Sequence, residues 1–135
     1  MTDPVPTNVT GARAIGFGKM AHRNCSEILW QNLARNPQKT ALTGPGGQLS
    51  YAELIAMAGR WGNAFIRAGV ARGERIAFFL DDTPVFAAAF FGAVRAGFVP
   101  VLLNTQTKAD LVQFYVQDSG ARVAVVDAGF ADAFP

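Results

Sequence analysis

From Ser26 onward the apolar positions fall into short blocks of alternating helical and strand character, separated by polar or glycine–proline breaks. Ile28, Leu29 and Leu33 lie at helical spacing, and Pro37 ends that block. Residues 40–43 read as a strand, GPGG at 44–47 as a turn, and residues 48–50 as the returning strand. Ser50 and Glu53 make an S-x-x-E capping box, in which each side chain satisfies the other's free backbone N–H. Leu54, Met57, Trp61 and Phe65 follow on one helical face, and Gly69 stands where a left-handed cap is wanted. RIAFFL at 75–80 is an apolar strand, after which Thr83 and Pro84 supply an N-cap and a first-turn proline. The helix they open, PVFAAAFFGAVRA, is apolar nearly all round, so burial on most sides is expected before Gly97 closes it. Residues 99–103 form another apolar strand, Thr107 opens a helix over 107–118 carrying Leu111, Val112, Phe114 and Tyr115, and residues 122–126 form the last strand.

The order strand, helix, strand, helix, strand from Arg75 predicts an α/β fold: a partial parallel sheet with flanking helices and right-handed crossovers. Residues 1–24 show no periodicity and read as an irregular, poorly ordered lead-in, which leaves 25–135 as one incomplete α/β domain. The chain stops at Phe134-Pro135 soon after a strand, with no closing helix, as a cut domain would. A hydrophobic share of 50% against 16% charged residues suits elements covered on both sides, or a piece that packs against more of its own polypeptide. Such a piece could self-associate through its uncovered face.

Charge and cysteine content remove several function classes. A formal charge of +2 with no basic stripe gives no nucleic-acid footprint. The apolar run at 85–94 is too short to span a bilayer, and the N-terminus lacks a secretory signal, so a soluble protein is expected. The one cysteine, Cys25, permits no internal disulfide and forms no metal cluster with the one histidine, His22, which fits a reducing cytoplasm.

In an open parallel sheet, ligands bind beyond the carboxyl ends of the strands. Those ends are Asp81-Asp82-Thr83, Asn104-Thr105-Gln106-Thr107 and Asp127. Asp81 and Asp82 could make a metal or acid–base site; the favoured reading is a structural one, in which they precede a helix N-terminus that stabilises negative charge. GFGK (16–19) lacks the spacing of a phosphate loop, and TGPGG (43–47) fits a hairpin turn better than a nucleotide contact. His22 has no partner at triad or ligand spacing, and Cys25 has no adjacent base and reads as an inert, buried thiol. Phe78, Phe79, Phe86, Phe90 and Phe91 could line a pocket for an aromatic substrate, but their spacing favours core. The residues by themselves therefore show a scaffold with no catalytic or metal site.

NLARNPQKTAL (32–42), LSYAELIAMAGRWGNAF (49–65), GVARGERIAFFL (69–80) and FFGAVRAGFVPVLLN (90–104) occur in an order and spacing that resemble the start of the adenylate-forming superfamily. That superfamily includes acyl- and aryl-CoA synthetases, luciferases and peptide-synthetase adenylation domains. The stretch at 80–126, with LLNTQTKAD and the following DSGARVAVV, is most similar to the benzoate-CoA ligase branch. The resemblance implies the first portion of a large N-terminal domain. It also implies a two-step reaction of an aromatic or aliphatic carboxylic acid with Mg²⁺-bound ATP and then coenzyme A, a general fatty acyl-CoA ligase being the alternative to the benzoate branch. The family's phosphate loop, ribose-binding acid, hinge and adenylation lysine belong to later sequence, so the isolated piece is expected to be inactive.

In some aryl-CoA ligases a basic residue just after the LLN turn contacts a phosphate of coenzyme A. The matching position here is Gln106, which departs from the pattern; Lys108 is the nearby cation that could replace it, or it is an ordinary solvated lysine of the first helical turn. Two other readings stay open: a free-standing α/β binding or interaction module, and an adenylation domain or acyl-AMP ligase that loads a carrier protein.

Overall fold

A computed structural model describes residues 24–134, so the expectations for the lead-in, GFGK and His22 lie outside the described residues. Helix α1 (Glu27–Arg35) leads into a hairpin of β1 (Thr40–Gly44) and β2 (Gly47–Ser50), whose strands pair antiparallel. Gly46 and Gly47 both have positive φ, at 91° and 117°, which the tight reversal after Pro45 requires and which a Cβ would oppose.

Helix α2 (Tyr51–Arg67) begins at the expected capping box. The Ser50 N–H donates to Glu53 Oε2 at 2.8 Å and the Glu53 N–H donates to Ser50 Oγ at 3.2 Å. Gly69, with φ of 81°, follows the helix in the left-handed conformation expected of it. Strand β3 (Arg75–Phe79) comes next, then helix α3 (Pro84–Ala96), which has the Thr83 hydroxyl as its N-cap and left-handed Gly97 as its C-cap. Strand β4 (Val99–Leu102), helix α4 (Ala109–Ser119) and strand β5 (Val123–Val126) complete the expected alternation.

The three later strands form a parallel sheet in the order β4-β3-β5, with Ile76 opposite both Pro100 and Val123. Strand β3 is therefore hydrogen-bonded on both edges. Side chains alternate across it. Ile76, Phe78 and Leu80 meet Phe65 of α2, Ala89 and Ala93 of α3, and Phe98 in the larger core cluster. Phe79 faces the other way, against the rings of Phe130 and Phe134 at centroid distances of 5.4 and 5.8 Å. A second cluster joins Leu29 of α1 to Leu54 and Ile55 of α2 and Ala88 of α3.

Two expectations need correction, and the burial of α4 adds a third observation. A short 3₁₀ helix, Ala128–Ala133, follows β5, because Phe130 has an apolar partner in Phe79 on the otherwise open face. Helix α3 is buried along Ala88, Ala89, Gly92 and Ala93, whereas Val85 is exposed and Phe90 and Phe91 are half-buried. Its small residues make the close contacts and its large ones sit at the margin. Helix α4 buries only Val112, leaving Leu111, Phe114 and Tyr115 exposed.

The contact between α2 and α3 depends on Gly92. A Cβ at that position would lie 2.3 Å from the Ala58 carbonyl oxygen and 3.0 Å from the Gly62 nitrogen, so both obstacles are backbone. Gly92→Ala should separate the two helices and destabilise the protein by roughly 1–3 kcal/mol in urea denaturation, the usual cost of overpacking; an unchanged midpoint would show that the helices yield freely. The capping box supplies a pH test. Hydrogen bonds from the Ser50 backbone and hydroxyl hold the Glu53 carboxyl below its ordinary 4.5. Because the folded value is the lower one, this stabilisation is complete above about pH 4.5 and disappears as pH falls through the folded value. The gap in thermal midpoint between the parent chain and Glu53→Ala should therefore narrow on acidification.

Candidate functional site

The carboxyl ends of the three parallel strands come together as the open-sheet rule requires. Beyond β3 and β4 lies a cleft of about 310 Å³, lined by Leu80, Asp81, Asp82, Phe86, Leu102, Leu103, Asn104 and Thr105. Its position follows from local chain chemistry. Leu80 is the last buried residue of the β3 run, and the chain turns polar at once because the next peptides leave the sheet. Thr83 and Pro84 then start α3 and bring Phe86 back over the opening.

A hydrogen-bonded bridge ties the strand ends together. The Asp81 N–H donates to Asp127 Oδ2 at 2.7 Å, joining the ends of β3 and β5. The Thr105 hydroxyl donates to Asp81 Oδ1 at 3.1 Å, joining the turn after β4 to the same residue. Within that turn the Gln106 N–H donates to Asn104 Oδ1 at 2.8 Å and the Thr107 N–H donates to the Asn104 carbonyl at 2.9 Å. Asp81 thus has a tertiary role between strands, beyond the helix-terminus role expected from sequence. Asp82 lines the cleft and precedes α3 as expected.

The aromatics divide between core and cleft. Phe78 and Phe79 are buried in the core, and Phe90 and Phe91 form a half-buried edge-to-face pair at 5.3 Å. Phe86 belongs to both environments, packing edge-on against Phe78 at 6.2 Å while lining the cleft. Leu102 and Leu103 extend the apolar wall, a role that sequence reading did not assign them because they complete an ordinary strand pattern.

Gln106 and Lys108 are exposed, and Lys108 is the N-cap residue of α4, one position earlier than the first helical turn in which it was expected. It lies at the same end of the sheet as the cleft but does not line it. Cys25 is exposed and not buried: the chain before α1 is held at Asn24 and Ser26, whose side chains bond to each other, while Asn24 Nδ2 donates to the Val94 carbonyl at 3.1 Å. On the opposite side of the molecule the Arg95 guanidinium lies 4.3 Å from the Trp30 ring centroid. Burial lowers the pKa of Arg95 and Glu27 opposes that shift. This contact fastens α1 to α3.

A parallel sheet with flanking helices and a cleft at its carboxyl ends is an α/β arrangement that the solved adenylate-forming enzymes share. The chain belongs to the AMP-binding enzyme family, whose sequence profile matches residues 29–134. It is 42% identical over 106 residues to a 3-hydroxybenzoate–CoA ligase of Aromatoleum sp. (strain CIB), covering 78% of this chain and 20% of the relative. It is 44% identical over 92 residues to a 4-hydroxybenzoate–CoA/benzoate–CoA ligase of Rhodopseudomonas palustris, covering 68% of this chain and 17% of the relative. Among solved structures, the anthranilate CoA ligase AuaEII in complex with anthranoyl-AMP superposes with a TM-score of 0.80 at 31% identity, over 82% of this chain and 22% of that one. The benzoate CoA ligase of Burkholderia xenovorans LB400 superposes with a TM-score of 0.76 at 30% identity, over 80% and 22% of the two chains. The chain spans about a fifth of the length of the curated relatives it matches.

Among the described residues no helix is long and apolar enough to cross a membrane, and no three His, Cys, Asp or Glu side chains gather as a metal site. The exposure of Cys25 has a direct consequence. An aromatic disulfide reagent should titrate one thiol per chain without denaturant; a thiol that reacts only after unfolding would contradict the exposed placement.

Proposed function

We propose that this chain supplies the opening strands and helices of the large N-terminal domain of a cytoplasmic, ATP-dependent aryl-CoA ligase. The whole protein would take an aromatic carboxylic acid and ATP to an acyl-adenylate and pyrophosphate. It would then transfer the acyl group to the thiol of coenzyme A with release of AMP. The observation that carries this reading is the 42% identity to a 3-hydroxybenzoate–CoA ligase, supported by a fold match to an enzyme solved with anthranoyl-AMP.

The described residues do not by themselves fit ATP or Mg²⁺. The cleft carries Asp81 and Asp82, which repel a polyphosphate, and the described residues include no cluster able to hold a metal ion. The part played here is architectural: β3 and β4 hold the cleft, and the turn at 104–107 carries Lys108 on the same end of the sheet. Lys108 is assigned a phosphate of coenzyme A. The remainder of the polypeptide is the natural cover for the exposed Leu111, Phe114 and Tyr115 of α4.

The test is a pyrophosphate-release assay on the full-length protein with ATP, Mg²⁺ and a panel of aromatic and aliphatic acids. Release is expected to depend on an aromatic acid, with a thioester appearing when coenzyme A is added. Selective release with aliphatic acids would overturn the aryl reading, adenylate formation without thioester would favour a carrier-protein acceptor, and no release with any acid would leave the binding-module reading. Lys108→Ala should raise KM for coenzyme A by roughly twofold to fivefold, the size of an exposed charge contact, with KM for the acid unchanged.

A further inference from the structure

Asp81 stands where the three strand ends meet, and its N–H and one carboxylate oxygen are used in tertiary contacts. Its N–H is bound to the Asp127 carboxylate and its own carboxylate accepts from the Thr105 hydroxyl. These partners are 46 and 24 residues away in sequence, so the bridge exists only in the folded sheet. Thr105 sits in the turn between β4 and α4, immediately after Asn104, whose side chain and carbonyl hold the next two amides. One side-chain bond to Asp81, just past the end of β3, therefore anchors the middle of the turn that leads to Lys108. The Leu103 N–H, donated to the Phe78 carbonyl at 2.9 Å, fixes the start of the turn on the sheet, and beyond it the turn's remaining side-chain bond is the local one from Gln106 to Asn104.

We infer that Asp81 is a positioning residue: through Thr105 it holds the 104–108 turn against the sheet and so sets the affinity of the whole protein for coenzyme A. This rests on the ligase reading and on the assignment of Lys108. The interaction requires an acceptor oxygen at residue 81 and a hydroxyl at residue 105, and it does not require a negative charge. Asp81→Asn and Thr105→Ser keep those atoms; Asp81→Ala and Thr105→Val remove them.

The experiment uses the full-length protein and reads steady-state kinetics together with hydrogen–deuterium exchange at residues 104–108. Asp81→Ala and Thr105→Val should each raise KM for coenzyme A by roughly threefold to fivefold, the scale of one lost hydrogen bond, with kcat and KM for the acid within about twofold. Asp81→Asn and Thr105→Ser should restore the parent values. Combining Asp81→Ala with Lys108→Ala should raise KM no further than Lys108→Ala alone, because the two act in series. Exchange at the Gln106 and Thr107 amides should quicken in Asp81→Ala and recover in Asp81→Asn. Unchanged exchange in Asp81→Ala overturns the inference, as does an equal loss in kcat and in KM for the acid, or an Asp81→Asn variant as impaired as Asp81→Ala. Absence of ligase activity in the parent protein would instead defeat the ligase reading and with it the link to coenzyme A, while the exchange data would still report whether Asp81 holds the turn.

Discussion

Ile76, Ala77 and Phe78 have no solvent-accessible surface, and their strand is hydrogen-bonded on both edges, so the register of β3 determines what reaches the carboxyl end of the sheet. A slip by one residue would carry Ile76, Phe78 and Leu80 from the helix-covered face to the face that holds Phe79, Phe130 and Phe134. It would also move Asp81 out of reach of both Asp127 and Thr105. Core packing and site geometry are thus one constraint here: burial of alternate apolar side chains sets the register, and the register delivers the first polar residue after the strand to the junction of three strand ends.

The helical layer obeys a second constraint of the same kind. Helices α2 and α3 approach closely because Ala58, Gly62 and Gly92 leave their backbones unshielded, and that closeness lets Phe65, Ala89 and Ala93 reach the same stretch of β3. Larger residues at the contact would raise both helices off the sheet. Phe86, at the first turn of α3, would then lose its edge-on contact with Phe78 and its place over the cleft.

Local chemistry was legible in the sequence wherever a few adjacent residues decide the outcome. The Ser50–Glu53 box, the Thr83-Pro84 start, left-handed Gly69 and Gly97, and the Pro45-Gly46 reversal each carry their own cause, and each element appears where that cause places it. The alternation of apolar strands with helices was sufficient for a parallel sheet. What stayed hidden depends on distant partners. The Thr105–Asp81–Asp127 bridge spans residues with no sequence proximity, and Leu102 reads as core until the strand is seen to be an exposed edge. Composition also misled in one direction: α3 is apolar enough to suggest cover on most sides, yet Val85 faces solvent and Phe90 and Phe91 are only half-buried. Hydrophobicity measures the demand for burial; it does not say which element meets it.

The cleft shows why scaffold and chemistry separate in this part of the fold. Adenylation and thioester formation handle anions, and anions need N–H donors, cations or metal ions around them. The carboxyl end of β3 offers carboxylates at 81 and 82, and the Asp81 N–H is already bound to Asp127. A site with that electrostatic character holds its own backbone in place and turns phosphate away. On the ligase reading proposed above, the donors for the reacting phosphates would come from elsewhere in the protein, and the strand ends described here would serve as a fixed wall beside them. Rigidity is the property such a wall requires. It is supplied by a strand with no exposed edge, helices in backbone contact and a side-chain bridge that closes the sheet at its carboxyl end.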